Sequence, residues 1–398
     1  MAIMRIFAGG RTMDCTVTLN ADSVSEYLRL IKEHDLYDCI SRGESSKYPS
    51  IDSSAFRLDD PRKHRGMIEK YYNIVGNTLT PLQEKHFLAF SQHHGVPTNI
   101  IDFSNSHLVS LFFACHGKEK KETNGYVKFI SCNRLIDSNN LIVGYENDKS
   151  LLNDILDFTD RTFLFSKAAS EFVKREPKYM VEHFFYLVDL LSEHNARVMP
   201  KLYNDFFELV SKHKEGILNK ELDGKLTLKH YSSYSEFLDA LFNACQNTHS
   251  NLFLSLGGDS ANYADYFYNR NHNSYSSDFN LYLFLLRIVF GETLRHHPYQ
   301  EHERINLPFY LTYTPPNIDE RIRSQSSIFI YQLFFEGFYS FETETKNIFW
   351  KQNLMPDFEI EIDNPDRILV ELNKLGINLM SIYGDYDNAA KHVKETTA

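Results

Sequence analysis

The chain of 398 residues has one tryptophan, five cysteines and no long apolar run, and each shortage excludes something. The cysteines, Cys15, Cys39, Cys115, Cys132 and Cys245, are odd in number, widely spaced and without a C-x-x-C pair. That spacing argues against a disulfide framework and a thiolate zinc site, and it fits a reducing cytoplasm. The most apolar stretch, Phe279 to Phe290, runs for about twelve residues and is broken by Arg287, whereas spanning a bilayer takes about 20. No signal-length apolar run opens the chain, so it is read as soluble, cytoplasmic and without a membrane partner. Positive charge is also short: 42 Lys+Arg against 53 Asp+Glu give a net charge of -11, which excludes a global field that recruits nucleic acid or anionic lipid. G-x-G-x-x-G, a Walker lysine loop, G-x-S-x-G, H-E-x-x-H and an EF-hand ladder are all missing.

Rings are abundant. With 31 Phe and 24 Tyr, and 42% of residues hydrophobic, the chain has ample material for an aromatic core. Cys15 to Leu19 alternates as a short strand, and Ser23 to His34 is an amphipathic helix with Val24, Tyr27, Leu28 and Ile31 on one face. Tyr37 to Ile40 reads as a strand that ends at a glycine turn, Ser41-Arg42-Gly43-Glu44. Thr80-Pro81-Leu82-Gln83 combines an N-cap, a first-turn proline and a capping-box glutamine, predicting one helix that stops at Gly95. Val96-Pro97-Thr98 forces an extended exit, and a second helix, apolar on nearly every side and therefore buried, starts at Ser104 or Ser106. Strands are expected at Gly125 to Ser131, Asn140 to Tyr145, Ser327 to Tyr331 and Phe358 to Ile362, with a final helix between Asn364-Pro365 and Gly376. Helical periodicity fills much of the middle. The expected class is α+β, a mixed sheet built from both ends of the chain, divided as 1–150, a helical insertion at 151–300, and 301–398.

Three polar segments stand out at element ends, where binding residues concentrate. The first is Arg42-Gly43-Glu44, in which Arg42 either pairs with Glu44 or Asp102 for structure or meets a ligand that Gly43 lets approach. The second is Gln92 to Thr98, leading to Asp102 and Ser104; its adjacent histidines, His93 and His94, point to different faces, so no metal site is assigned and structural hydrogen bonds are the default. The third is Arg321 to Ser327, a polar lead into a strand with Gln325 facing a cleft or capping a neighbour. A nuclease site, with Glu44, Asp102 and a histidine holding Mg²⁺ or acting as acid and base, is disfavoured by the net acidity of the chain.

Taken together these segments resemble the FRG domain, a bacterial and phage-associated family. Ser41-Arg42-Gly43-Glu44 is similar to its aromatic-Arg-Gly motif with Ser in the aromatic place. Leu88 to Asp102, Ser104 and Leu111-Phe112-Phe113-Ala114 resemble its longest block. Arg321-Ile322 and Gln325 before Phe329, and Leu372 to Ala389, resemble its closing segments. The order of motifs is in turn similar to that of ADP-ribosyltransferases. The resemblance implies NAD as substrate, with Arg42, Gln325 and His93 catalytic, and Arg42, Gly43, Tyr71, Tyr72, Thr98, Asp102 and Ser104 holding the dinucleotide. Gln325 stands where most such enzymes carry Glu, and Glu320 and Glu336 are the nearby alternatives. The implied role is a toxin acting on a host or phage protein or nucleic acid, in anti-phage defence or with an antitoxin or regulatory protein. The alternative is a non-catalytic nucleotide- or protein-binding module.

Overall fold

The computed structural model describes residues 17–116, 124–139, 302–307, 309–316, 320–341 and 344–384, with short pieces at 175, 219–220, 226–227, 388, 390 and 393. The chain divides into two compact units, Asp14–Arg161 with Arg304–Phe335 and Trp350–Ala398 in one, and Met1–Met13 with Thr162–Glu303 and Glu336–Phe349 in the other.

The N-terminal elements are β1 (Val17–Ala21), α1 (Val24–Glu33), β2 (Cys39–Glu44), α2 (Lys63–Val75), α3 (Pro81–Lys85), α4 (Phe87–His93), β3 (Ile100–Ser104), α5 (His107–Cys115), β4 (Gly125–Ser131) and β5 (Leu135–Asp137). Two-residue strands β6 (Asn219–Lys220) and β7 (Leu226–Thr227) pair with each other. Then follow β8 (His302–Asn306), β9 (Tyr310–Tyr313), α6 (Glu320–Ser324), β10 (Ser327–Tyr331), β11 (Phe334–Phe341), β12 (Glu344–Asn353), β13 (Phe358–Ile362), α7 (Pro365–Lys374) and α8 (Leu379–Tyr383). The fold is α+β. Its main sheet has eight strands in the order β1-β13-β4-β2-β3-β10-β9-β5, parallel at β1/β13 and β5/β9 and antiparallel elsewhere, so both ends of the chain build it. Apart from the short pieces named above, residues 151–300 lie outside the described residues, as does the expected strand at Asn140 to Tyr145. A short strand is found just before that position, at Leu135–Asp137.

The sheet separates two cores. On one face Tyr27, Phe129, Ile360 and Ile362 pack with Leu111, Phe112 and Ala114 of α5 and Ile368 and Leu372 of α7. On the other, Ile40, Ile101, Phe103, Ile130, Tyr310 and Ile330 pack together. Alternation along each strand assigns neighbours to opposite cores, as the two-residue period requires. In α1 the buried stripe is Val24, Tyr27, Leu30 and Ile31, while Leu28 is 41% exposed; the stripe lies one position round the helix from the sequence expectation.

Three local expectations are corrected. The capping box of Thr80 and Gln83 forms, but the helix breaks at His86 into α3 and α4, where the His86 ring bonds to and stacks on Tyr313. That tertiary bond overrides helix propensity. Arg321 to Ser324 is helical, and Ser326 at φ 47° turns the chain into β10. Gly43 is strand, not turn. A Cβ at Gly43 would overlap the Ser110 carbonyl oxygen and lie 2.6 Å from the Ala114 nitrogen, so the glycine exists for close packing of α5 on the sheet. Gly125, opposite the same helix, would meet the Ala114 carbonyl in the same way.

Gly43→Ala should therefore cost about 3 kcal/mol or more, because the obstructing atoms are backbone and cannot rotate away. Urea unfolding checks it, and an unchanged midpoint would contradict the packing. Two buried histidines add a pH dependence. Burial pulls both His64 and His86 down to about 4, with the Pro61 carbonyl partly opposing the shift at His64 and Lys85 adding to it at His86. The unfolded chain takes up these protons near 6.5 and the folded chain resists them, so stability should fall as pH drops from about 6.5 to 4, by about 1.4 kcal/mol per unit for each ring. His64→Phe should flatten the decline measured by denaturant titration at pH 7, 5.5 and 4.5.

Candidate functional site

Along β2, Ser41 and Gly43 face α5, while Arg42 and Glu44 face the other side of the sheet with Lys128, which is paired with Arg42 in register. One motif thus carries packing on one face and charge on the other. On the packing side the wholly buried Ser41 hydroxyl lies 2.8 Å from Nδ1 of His107 and 2.9 Å from the Ser110 hydroxyl. Burial lowers the His107 pKa from its ordinary value, against the carbonyls of Tyr37 and Leu36. The pairing looks like a nucleophile and its base, but with Ser41 at 0% exposure it ties sheet to helix rather than meeting a substrate.

On the charged side Glu44 is 6% exposed and accepts from Lys128 Nζ at 2.6 Å and Arg42 Nε at 3.1 Å. A second bond, from Arg42 Nη1 to the Asp102 carbonyl at 2.7 Å, locks the guanidinium across β2 and β3. The pairing with Glu44 is present, whereas Asp102 takes part through its backbone carbonyl and not its carboxylate, and neither bond removes Arg42 from the surface of a cleft.

That cleft, of about 350 Å³, is lined by Arg42, Gly43 and Glu44 together with His93, Asp102, Ser104 and Gln325. Residues from positions nearly 300 apart in sequence meet there because β3 lies between β2 and β10. Ser104 Oγ donates to the Gln325 carbonyl at 2.7 Å, and Gln325 Nε2 donates to the Ile382 carbonyl at 3.3 Å. Gln325 occupies the turn between α6 and β10, two residues before the strand into which it leads. Of its possible stand-ins, Glu320 is exposed and paired with Arg323 at 2.6 Å; the Glu336 side chain lies outside the described residues.

Tyr71, Tyr72 and Thr98 do not line the cleft. Tyr71 stacks on Phe87 and Phe90, and Tyr72 donates to Glu84. Thr98 is wholly buried behind it, its hydroxyl bonded to Gln92 Oε1. The rings that do line it are Tyr48, Phe103, Phe113 and Phe329. Arg57 and Arg321 complete its charge, the latter 4.7 Å over the Tyr383 ring. Tyr48 and Arg57 sit in the loop after β2, where no periodicity marks them. Lys128 did leave a signal: a lone lysine in the apolar strand G-Y-V-K-F-I-S needs a buried carboxylate on a neighbour.

Three arginines thus line the cleft with two carboxylates, and Glu44 is already neutralised. Asp102 is exposed and its carboxylate has no ion pair among the described residues. The balance is positive, suited to an anionic ligand. Among the described residues no group of His, Cys, Asp and Glu is arranged to hold a metal ion, and no helix is long and apolar enough to cross a membrane.

Residues 38–123 match the model of the FRG domain. The chain carries an FRG domain. The matched span runs from the start of β2 past the end of α5, so it contains Arg42, Gly43, Gln92, His93 and Asp102, while Gln325 lies outside it. Comparison with curated proteins and with solved structures returned no match.

Glu44→Gln should leave Lys128 buried without its countercharge and cost about 3 to 5 kcal/mol. The double change Glu44→Gln with Lys128→Met should recover most of that loss in urea unfolding. A double variant no more stable than the single one would show that the pair is not the reason for the loss.

Proposed function

We propose that the FRG domain cleft binds NAD and that the protein transfers ADP-ribose to a macromolecule in the cytoplasm. The observation that carries this reading is the fixed Arg42 guanidinium at a positively balanced cleft shared with Asp102 and Gln325. A cation held in place in advance meets a diphosphate without paying to reorganise, and its bonds to an anion are the strong kind. At about 350 Å³ the cleft is at the small end of ligand sites, so it takes the reacting half of the dinucleotide and leaves the other half across its mouth.

In the transfer the bond from the anomeric carbon to nicotinamide breaks, and its electron pair leaves with the ring and cancels the pyridinium charge. The acceptor's lone pair forms the new bond, and its proton passes to a carboxylate, a role open to Asp102. Gln325, fixed by Ile382, stabilises the positive charge that develops at the sugar, and His93 orients the ligand. The similarity of motif order to ADP-ribosyltransferases supports a toxic or defensive role, against a host or phage protein or nucleic acid, restrained by an antitoxin or regulatory partner. A second reading, a nucleotide- or protein-binding module without turnover, is favoured by one feature: the Gln325 amide is already engaged with the Ile382 carbonyl.

Arg42→Ala should weaken NAD binding in calorimetry by about 1.5 to 3 kcal/mol, and Gln325→Ala should lower nicotinamide release while leaving binding nearly intact. Binding without nicotinamide release in the wild type supports the module, and a flat titration of the wild type removes the transferase reading and leaves a module whose ligand is not NAD.

A further inference from the structure

Gln92, like Arg42, is a cleft residue whose orientation is set from behind. It sits at the end of α4, lines the cleft and is half-buried. Its Oε1 accepts the hydroxyl proton of Thr98, a residue with no exposed surface. Thr98 is itself immobilised: its backbone nitrogen donates to Ser54 Oγ at 3.0 Å, and its carbonyl accepts from the Ala55 nitrogen at 3.0 Å. An amide has one acceptor end and one donor end, and occupying the acceptor leaves the two N–H groups of Nε2 for whatever fills the cleft. No bond from Nε2 to a described residue is formed.

We infer that Gln92 is a ligand-binding residue that donates to an anionic oxygen of the bound diphosphate, and that Thr98 is the positioning residue that holds the amide donor end outward. The ligand atom must be an acceptor, because the donor end alone is presented. It is anionic because the same cleft carries Arg42, Arg57 and Arg321, and Arg57 makes no ion pair or hydrogen bond with a described residue. This inference rests on the nucleotide reading only for the identity of the ligand; the chemistry of the amide holds for any diphosphate.

The test is calorimetry of the full chain with two probes, inorganic pyrophosphate and NAD. Gln92→Glu keeps the acceptor for Thr98 and turns the donor into a carboxylate; it should weaken pyrophosphate at least tenfold, the size of one bond to a charged group. Thr98→Val, which frees the amide to rotate, should lose part of that affinity, and Thr98→Ser should restore it. A merely structural role for Thr98 would move the melting temperature without this pattern, so melting is recorded for each variant, with Gln92→Leu as a neutral second change expected to weaken binding less than Gln92→Glu. If both probes bind the wild type and Gln92→Glu binds them equally well, the inference is overturned and the nucleotide reading stands. If pyrophosphate binds and weakens as expected while NAD does not bind, the inference stands and the nucleotide reading fails. If neither probe binds, both are overturned.

Discussion

Helix α5 lies on β2 and β4 so closely that no side chain fits beneath it at Gly43 or Gly125. This contact sets the height of the helix over the sheet and the face that each residue of β2 presents. Ser41 and Gly43 are committed to the helix, and by the two-residue period Arg42 and Glu44 must point the other way. A one-residue slip of β2 would drive Arg42 into the backbone of α5 and turn Gly43 to the charged face, so packing enforces the register that places the cation.

Charge at the site follows from that placement. Glu44 is buried between Lys128 and Arg42, an arrangement that tolerates a carboxylate in the interior because two cations and their hydrogen bonds surround it. Its negative charge is consumed within the sheet, and what the cleft presents is the remaining positive balance together with the exposed Asp102. Thr98 does for Gln92 what Glu44 does for Arg42: a buried partner fixes a polar side chain from behind. Both devices preorganise the cleft for a ligand that accepts hydrogen bonds.

Much of this was legible in the sequence, and the misses share a cause. Strands at Ser327 to Tyr331 and Phe358 to Ile362, the helix starts at Thr80 and Asn364, and the buried helix 107–115 follow from alternation, capping chemistry and apolar content, all of which act over a few residues. Positions at element ends pointed to one cleft for Arg42, His93, Thr98, Asp102, Ser104 and Gln325, and all of them but Thr98 line it. What failed depended on distant partners. The break at His86 comes from Tyr313, the burial of Gly43 from Ser110 and Ala114, and the displacement of Tyr71 from Phe87 and Phe90, each read only once the sheet is assembled. Tyr71 and Tyr72 were proposed as rings for the ligand; the rings of the cleft are instead Tyr48, Phe103, Phe113 and Phe329.

The central claim is that the β2 motif places a fixed cation in a cleft built to hold a diphosphate. A crystal structure of the full chain soaked with ADP-ribose tests it most directly. The account predicts diphosphate density in the cleft, with oxygens within hydrogen-bond distance of the Arg42 guanidinium and of Gln92 Nε2, and with the Arg42 bonds to Glu44 and the Asp102 carbonyl retained. Ligand density elsewhere on the protein with the cleft filled only by water, or a bound diphosphate that leaves Arg42 untouched, would contradict it.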